Sequence, residues 1–199
     1  MEKLEDYIFY FENYVPVDLC NQLIEEYKEA EELEPAAIID EVENKNGAYK
    51  DLRDCMVMNM SADDSLKKSM HRKDMDTKLF QCITKGYHNY KDNIPFTKKL
   101  SLDQHAQDTG YEFLKYTVNG KFVEHSDYFR NSQRVLSVSL LLNDEFKGGE
   151  FVFFANQKNQ KIIKQKPGSL LFFPSNFLYP HQIMPIYQGI RYAVVSWFI

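Results

Sequence analysis

After residue 110 the chain becomes a series of short strand-like segments separated by turns, and this pattern restricts the fold more than any other feature. Tyr111–Tyr116, Arg134–Leu142 and Ile190–Ile199 are rich in residues that favour strands. Asn119-Gly120 and Pro167-Gly168 are typical turn pairs. Many short strands with regular turns predict a β-sandwich or a double-sheet jelly roll.

The first 110 residues show helical spacing instead. Apolar residues recur at three- and four-residue intervals over Leu19–Tyr27 and Thr77–Tyr90, which predicts two amphipathic helices. Asp18 is the candidate N-cap of the first helix, and Pro35 marks its expected stop. Helices precede strands, and no repeat or linker divides the chain. We therefore expect one α+β domain, with a double-stranded β-helix (jelly-roll) core and N-terminal helices packed on one sheet.

The composition limits the possible partners. With 199 residues the chain can bury a full core, and an aromatic fraction of 15% fits a β-rich core or a sizeable pocket. The net charge of −5 argues against a nucleic-acid backbone as the main partner, because phosphate binding needs a basic face. Three widely spaced cysteines, no secretory signal and no apolar run that could span a bilayer predict a soluble cytoplasmic protein with reduced thiols.

A possible metal-ligand set begins with His125-Ser126-Asp127. In a strand, residues i and i+2 project from the same face, so His125 and Asp127 could grip one ion. His181 would have to come from another strand, which a jelly roll can bring alongside. Two imidazoles and one carboxylate leave three coordination positions open, as in non-haem Fe(II) oxygenases. A structural zinc site would close its fourth position, usually with cysteine, and no cysteine lies nearby in the sequence.

Arg191 is a possible anion clamp beside that set. It follows His181 by ten residues and is flanked by apolar strand residues, where a charge without a partner would be costly. The planar guanidinium engages a carboxylate through two parallel hydrogen bonds. A structural salt bridge or an exposed edge position is the alternative interpretation.

Taken together, these motifs resemble a known family in order and spacing. The segment Tyr116 to Phe198 is similar to the catalytic domain of the 2-oxoglutarate- and Fe(II)-dependent oxygenases, specifically the prolyl 4-hydroxylase-like branch. The matching elements are Tyr116, His125-x-Asp127, Leu141-Leu142-Asn143, Gly148-Gly149-Glu150, Pro167-Gly168-Ser169, Leu171-Phe172-Phe173-Pro174, Pro180-His181, Pro185, Gly189-x-Arg191 and Trp197.

The resemblance implies roles for individual residues. The metal ligands for Fe(II) would be His125, Asp127 and His181, with Arg191 binding the 5-carboxylate of 2-oxoglutarate and Tyr116 lining the cosubstrate pocket. Prolyl hydroxylases of this branch carry a tyrosine where this chain has Leu141. The leucine cannot form the hydrogen bond that the tyrosine would contribute to the 5-carboxylate. Ser137 or a water could replace that bond. Trp197 is expected to pack behind the site.

The implied reaction is hydroxylation of a C–H bond with O2, coupled to conversion of 2-oxoglutarate to succinate, with ascorbate in support. The family implies a prolyl residue of a peptide or protein as substrate. A free amino acid or other small molecule is the alternative, and a non-catalytic jelly-roll binding module is the alternative of another class. Asp127 disfavours halogenation, because related halogenases lack that carboxylate. Trp197 stands where nucleic-acid demethylases of the superfamily carry a second arginine.

Within the single expected domain, residues 1–110 would supply helical and strand support and a substrate loop, and residues 111–199 the jelly-roll catalytic core. The substrate loop is expected near Tyr49–Asn59. Arg53 is its candidate substrate contact, with a solvated arginine as the alternative.

Overall fold

The computed structural model describes residues 2–40, 45–61, 70–95, 98–99, 102, 107–128 and 133–199. The longer helices are α1 (Val17–Tyr27) and α2 (Met70–Asp92), and a single 3-10 turn covers Leu4–Tyr7. The strands are β1 (Phe9–Phe11), β2 (Glu34–Pro35), β3 (Ile38–Asp40), β4 (Lys45–Gly47), β5 (Arg53–Asp54), β6 (Met56–Asn59), β7 (Glu112–Tyr116), β8 (Lys121–His125), β9 (Leu136–Leu141), β10 (Phe146–Gly148), β11 (Phe151–Phe153), β12 (Lys161–Ile163), β13 (Leu170–Pro174), β14 (His181–Ile183), β15 (Ile186–Gly189) and β16 (Arg191–Phe198).

Most of the strands belong to two sheets. The larger sheet has seven strands in the order β1-β13-β9-β16-β7-β6-β2, and the smaller has five in the order β12-β11-β14-β8-β5. Two short antiparallel pairs, β10–β15 and β3–β4, stand apart from them. The sequence order of the strands is scrambled within each sheet, so residues distant in the chain become neighbours in space.

The larger sheet is buried on both faces, and the alternation along β13 shows why. Leu170 and Phe172 pack with the residues of α1 and α2 in one hydrophobic cluster. Leu171 and Phe173 point the other way, into a second cluster shared with the smaller sheet. Burying each such side chain contributes about 1.5–3 kcal/mol relative to exposure. The expected helices therefore pack on one sheet, and the second sheet covers the other face.

The sequence placed some element boundaries wrongly. Helix α1 begins at Val17 after Pro16, and Asp18 lies in its first turn rather than capping it. The helix ends at Tyr27, well before Pro35. Helix α2 extends the predicted Thr77–Tyr90 segment at both ends. None of the described helices combines the length and apolar character that crossing a bilayer requires.

The expected substrate loop at Tyr49–Asn59 is partly regular structure. Within it, β5 pairs with β8, and β6 pairs with β7. This segment forms strands where a loop was expected because Cys55 and Met58 are buried. Backbone groups beside buried side chains need hydrogen-bond partners, and strand pairing provides them. Arg53 consequently projects from a strand of the smaller sheet.

Candidate active site

Two neighbouring strands of the smaller sheet bring the candidate metal ligands together. His125 at the end of β8 pairs directly with His181 at the start of β14. Asp127 follows β8, and its Oδ1 lies 3.6 Å from Nε2 of His125 and 3.7 Å from Nε2 of His181. One ligand atom from each residue lies within 4.8 Å of the others. These separations suit one ion with bonds of about 2.1 Å.

Both imidazoles are oriented by the backbone. Nδ1 of His125 lies 2.8 Å from the carbonyl oxygen of Val123, and Nδ1 of His181 lies 3.1 Å from that of Tyr179. An Nδ1–H that donates to a carbonyl leaves the Nε2 lone pair free for a metal. Burial and the neighbouring His125 lower the pKa of His181 to about 4, so this ring is neutral at physiological pH. The pair therefore presents two lone pairs to one point.

The Asp127 carboxylate is held from behind by hydroxyl groups. Ser137 Oγ donates to Asp127 Oδ2 at 2.6 Å and lies 2.8 Å from Ser175 Oγ. This leaves Oδ1, the oxygen that faces the imidazoles, for a cation. Burial alone would raise the pKa of the Asp127 carboxyl, but the neighbouring His181 and His125 and the hydrogen bond from Ser137 hold it well below its usual range. The carboxylate is ionised and ready to bind a cation.

The expectation that Ser137 could serve the cosubstrate in place of a tyrosine at 141 is therefore wrong. Its hydroxyl is engaged by the metal-side carboxylate and by Ser175. Residues 137 and 139 alternate with apolar residues along β9, so they share one face of a buried strand. That polar alternation was visible in the sequence and could have pointed to a buried polar role for Ser137.

Aromatic rings surround the two histidines. Phe122 stacks on His125 with ring centroids 3.4 Å apart, and Phe151 stacks on His181 with centroids 5.1 Å apart. The guanidinium of Arg53 lies 4.8 Å from the centre of the Phe122 ring. Arg53 also donates to the carbonyl of Ala37 and lies 3.9 Å from the Glu112 carboxylate, and its buried Nε has no described hydrogen-bond partner. The ring packing fixes the imidazole planes and excludes water from them.

Arg191 is a buried charge with little compensation. It is only 2% exposed, and within the described residues no carboxylate lies within salt-bridge distance. Its terminal nitrogen donates to Gln165 Oε1 at 3.4 Å, and its guanidinium lies 5.5 Å from the centre of the Tyr116 ring. Its Nε has no partner among the residues described. Burial lowers the pKa of Arg191, because a charged guanidinium loses its hydration free energy when it is removed from water. The alternative of a structural salt bridge finds no support in these contacts.

One cavity joins the two halves of the site. It measures about 50 Å³ and is lined by all three candidate metal ligands and by Arg191. Tyr116 and Trp197 also line it. Burial, followed by the nearby Cys55, raises the pKa of the Tyr116 phenol, so this group keeps its proton and can donate. The geometry thus offers a candidate cation site and a candidate anion site in one cavity.

Trp197 forms part of the cavity wall rather than lying behind it. The Arg134 guanidinium stacks 3.5 Å from its ring centre. Arg134 also donates to the Asp127 carbonyl at 3.4 Å. The sequence offered no signal for this contact, because Arg134 and Trp197 are far apart in the chain.

Residues 111–199 match the model of the 2OG-Fe(II) oxygenase superfamily. This stretch, a little under half of the chain, is thus similar to that superfamily. Its name gives the metal as Fe(II) and the cosubstrate as 2-oxoglutarate, which correspond to the cation site and the anion site.

Similar proteins include hydroxylases. A PKHD-type hydroxylase of Rippkaea orientalis is 32% identical over 92 residues, which cover 45% of this chain and 38% of the relative. A Pseudomonas putida prolyl-4-hydroxylase structure has a TM-score of 0.66 at 19% identity and covers 96% of this chain and 91% of that one.

A Trichoplax adhaerens prolyl hydroxylase, solved with a peptide fragment of a hypoxia inducible factor oxygen degradation domain, gives a TM-score of 0.75 at 16% identity. That match covers 98% of this chain and 84% of the other. At such identities the two structural likenesses show a shared fold. The matched stretch spans less than half of the R. orientalis relative.

Proposed function

We propose that this protein is a 2-oxoglutarate- and Fe(II)-dependent dioxygenase that hydroxylates a prolyl residue of a peptide or protein. The observation that carries the proposal is the pairing, within one cavity, of an open two-histidine, one-carboxylate set with a buried arginine that no described carboxylate neutralises. A binding module has no need for both. The family match and the prolyl hydroxylases among similar proteins support the reaction class.

In this proposal Fe(II) is held by Nε2 of His125, Oδ1 of Asp127 and Nε2 of His181. The donor set fits, because each ligand atom is free and its partner atom on the same side chain is engaged elsewhere. When bound, Fe(II) with 2-oxoglutarate and O2 supplies the oxidation of a C–H bond, while 2-oxoglutarate becomes succinate and CO2. Ser137 keeps the carboxylate oriented throughout.

The cosubstrate is bound through its far carboxylate by Arg191. Binding of the dianionic 2-oxoglutarate offsets the free-energy cost of burying the guanidinium, because the two opposite charges leave water together and form hydrogen bonds with each other. The Tyr116 phenol remains protonated and lines the same cavity, and its single O–H group is hydrogen-bonded with Cys55. The aromatic walls exclude water, which protects the reaction from side products.

The leading substrate is inferred from similar proteins, and the position of Arg53 is compatible with a second candidate as well. Arg53 lines the metal-side cavity and has an unpartnered Nε, so it can bind a carboxylate or a carbonyl oxygen of the substrate. A carboxylate would select a free amino acid, and a carbonyl oxygen would suit a prolyl peptide. Both remain within the same reaction class.

We further propose that the two sheets form a double-stranded β-helix. Residues 1–199 would be one domain, in which residues 111–199 form the catalytic core and residues 1–110 support it. Cys20, Cys55 and Cys82 are free thiols, which suits a cytoplasmic setting in which ascorbate supports turnover.

The experiment that tests the proposal is mass spectrometry of candidate substrates after incubation with the protein, Fe(II), 2-oxoglutarate and ascorbate. Prolyl peptides and free amino acids are offered in parallel. A product heavier by one oxygen atom on a prolyl residue supports the leading proposal, and the same gain on a free amino acid supports the second candidate. Asp127→Ala serves as the matched inactive control.

A further inference from the structure

We propose that Gln165 is the positioning residue that holds Arg191 ready for the far carboxylate of the 2-oxo acid, a part that position 141 cannot play in this chain. The inference rests on the proposed function and deepens it. Gln165 lies just beyond β12, two residues before the Pro167-Gly168-Ser169 motif, and is not itself one of the matching elements.

Both the oxygen and the nitrogen of the Gln165 side-chain amide form hydrogen bonds. Its Oε1 accepts a hydrogen bond from Arg191 at 3.4 Å, and its Nε2 donates to the carbonyl oxygen of Ser139 at 3.2 Å. Only this orientation of the amide makes both bonds. Exchanging oxygen and nitrogen would place a donor against the guanidinium and an acceptor against the carbonyl. Ser139 sits in the middle of buried β9, so the amide is tied to the rigid part of the larger sheet.

The backbone next to Gln165 is also fixed. The amide nitrogen of Lys166 donates to Tyr10 Oη at 3.0 Å. Gly168 donates to the Leu141 carbonyl at 2.9 Å and accepts from the amide of Val15 at 2.9 Å. A side chain on such an anchored turn keeps one position, which is what a positioning residue requires.

A neutral amide is chemically suited to this task. A carboxylate at the same place would pair with the guanidinium and cancel the charge that an anionic ligand must meet. The amide restrains one edge of Arg191 and leaves its charge intact, with Nε still without a described partner. Leu141, together with Gln165 and Arg191, lines a second cavity of about 370 Å³, and its aliphatic side chain has no polar atom to offer. Gln165 is therefore the described side chain that hydrogen-bonds to Arg191.

The test measures binding of ligands to the Mn(II)-loaded protein by isothermal titration calorimetry, so it needs no turnover. Three ligands are compared: 2-oxoglutarate, its amide analogue N-oxalylglycine, and pyruvate, which shares the 2-oxo acid group and lacks the far carboxylate. The variants are Gln165→Leu and Gln165→Glu. Gln188→Ala is the matched control, because Gln188 is exposed on β15.

We expect Gln165→Leu to weaken 2-oxoglutarate and N-oxalylglycine roughly ten-fold, the loss of one hydrogen bond to a charged group. Gln165→Glu should weaken them further, because the new carboxylate neutralises Arg191. The affinities for pyruvate and Mn(II) should stay within about two-fold of wild type. The midpoint of thermal unfolding should stay within about one degree of wild type, on the order of measurement error. Gln188→Ala should behave as wild type.

Two results would overturn the inference. Wild-type affinity of Gln165→Leu and Gln165→Glu for both dicarboxylates would show that the amide does not position Arg191. An equal loss for pyruvate, Mn(II) and the dicarboxylates would show a purely structural role. If the wild-type protein binds Mn(II) and no 2-oxo acid at all, the proposed function fails, and this inference fails with it.

Discussion

At the scale of single residues, the site depends on which oxygen and nitrogen atoms are left free. Nδ1 of both histidines and Oδ2 of Asp127 are occupied by protein partners. The remaining Nε2 and Oδ1 atoms converge. Outer partners of this kind typically contribute 10- to 100-fold to metal affinity. Ser137 is thus as much a part of the site as the ligand that it orients.

Ser137→Ala should weaken Mn(II) or Fe(II) binding by roughly ten-fold or more, because Asp127 loses a 2.6 Å hydrogen bond. Titration of the apo protein with the metal measures the effect. Ser139→Ala removes the same hydroxyl from the same face of β9 and should leave metal affinity unchanged. Equal metal affinity in the two variants would contradict the role of Ser137.

Arg191 is expected to oppose folding while serving binding. Arg191→Met replaces an uncompensated buried charge with an apolar side chain of similar length, and it should raise the free energy of unfolding by about 1–3 kcal/mol. The same variant should lose 2-oxoglutarate binding and keep Mn(II) binding. Urea unfolding and calorimetry provide the two readouts.

Arg72→Met is the contrasting control for that experiment. Arg72 pairs with Glu26 at 2.6 Å and with Glu32 at 2.9 Å, so its loss should reduce stability. If Arg191→Met is as destabilising as Arg72→Met, Arg191 has a structural partner and the clamp assignment is wrong. A parallel loss of Mn(II) and 2-oxoglutarate affinity would lead to the same conclusion.

At the scale of elements, the antiparallel pair formed by β10 and β15 makes room for Arg191. Gly149, which follows β10, has φ +68. A Cβ there would meet Ile186 Cδ1 at 2.5 Å and Arg191 Cδ at 3.1 Å. The position therefore requires glycine both for its backbone and for the space that the arginine occupies.

Gly149→Ala should lower the free energy of unfolding by about 1–3 kcal/mol and displace Arg191, with a loss of 2-oxoglutarate affinity. Denaturant titration and calorimetry measure the two effects. Gly47→Ala is the control, because a Cβ at Gly47 meets only the Tyr49 ring, at 3.5 Å or more, without a positive φ. Unchanged binding in Gly149→Ala would show that the glycine serves the backbone alone.

The elements also show how far the sequence could predict this structure. The sequence correctly predicted that His125 and Asp127 lie close enough to bind one ion, although Asp127 lies in a bend after β8 and not in the strand. Apolar spacing located α2. The pairing of His125 with His181 depends on a crossover between strands 56 residues apart in the chain, which only the family pattern could suggest. Local patterns also do not reveal Gln165, because its contacts depend on the anchored turn beside β9.

At the scale of the whole molecule, the larger sheet carries Arg191 of the proposed anion site, and the smaller sheet carries the two histidines of the proposed metal site. Arg191 begins β16 in the larger sheet, whereas His125 and His181 belong to β8 and β14 in the smaller one. A metal-bound 2-oxo acid would connect the two sheets through the cavity that they share. Ligand binding should therefore stabilise the entire fold.

Mn(II) together with N-oxalylglycine should raise the thermal unfolding midpoint by roughly 5–10 °C at about 100 times the dissociation constant, following mass action. The chelator EDTA should reverse the shift. Arg191→Met should respond to Mn(II) and show no further response to N-oxalylglycine. A shift with N-oxalylglycine in the absence of metal would contradict binding across both sheets.

The most direct test of the central claim is succinate release from 2-oxoglutarate by the purified protein with Fe(II) and ascorbate, with and without prolyl peptides and amino acids. We expect succinate that requires both Fe(II) and 2-oxoglutarate and that disappears in Asp127→Ala. No succinate under any of these conditions, from a protein that binds the metal, would contradict it and favour a non-catalytic binding module.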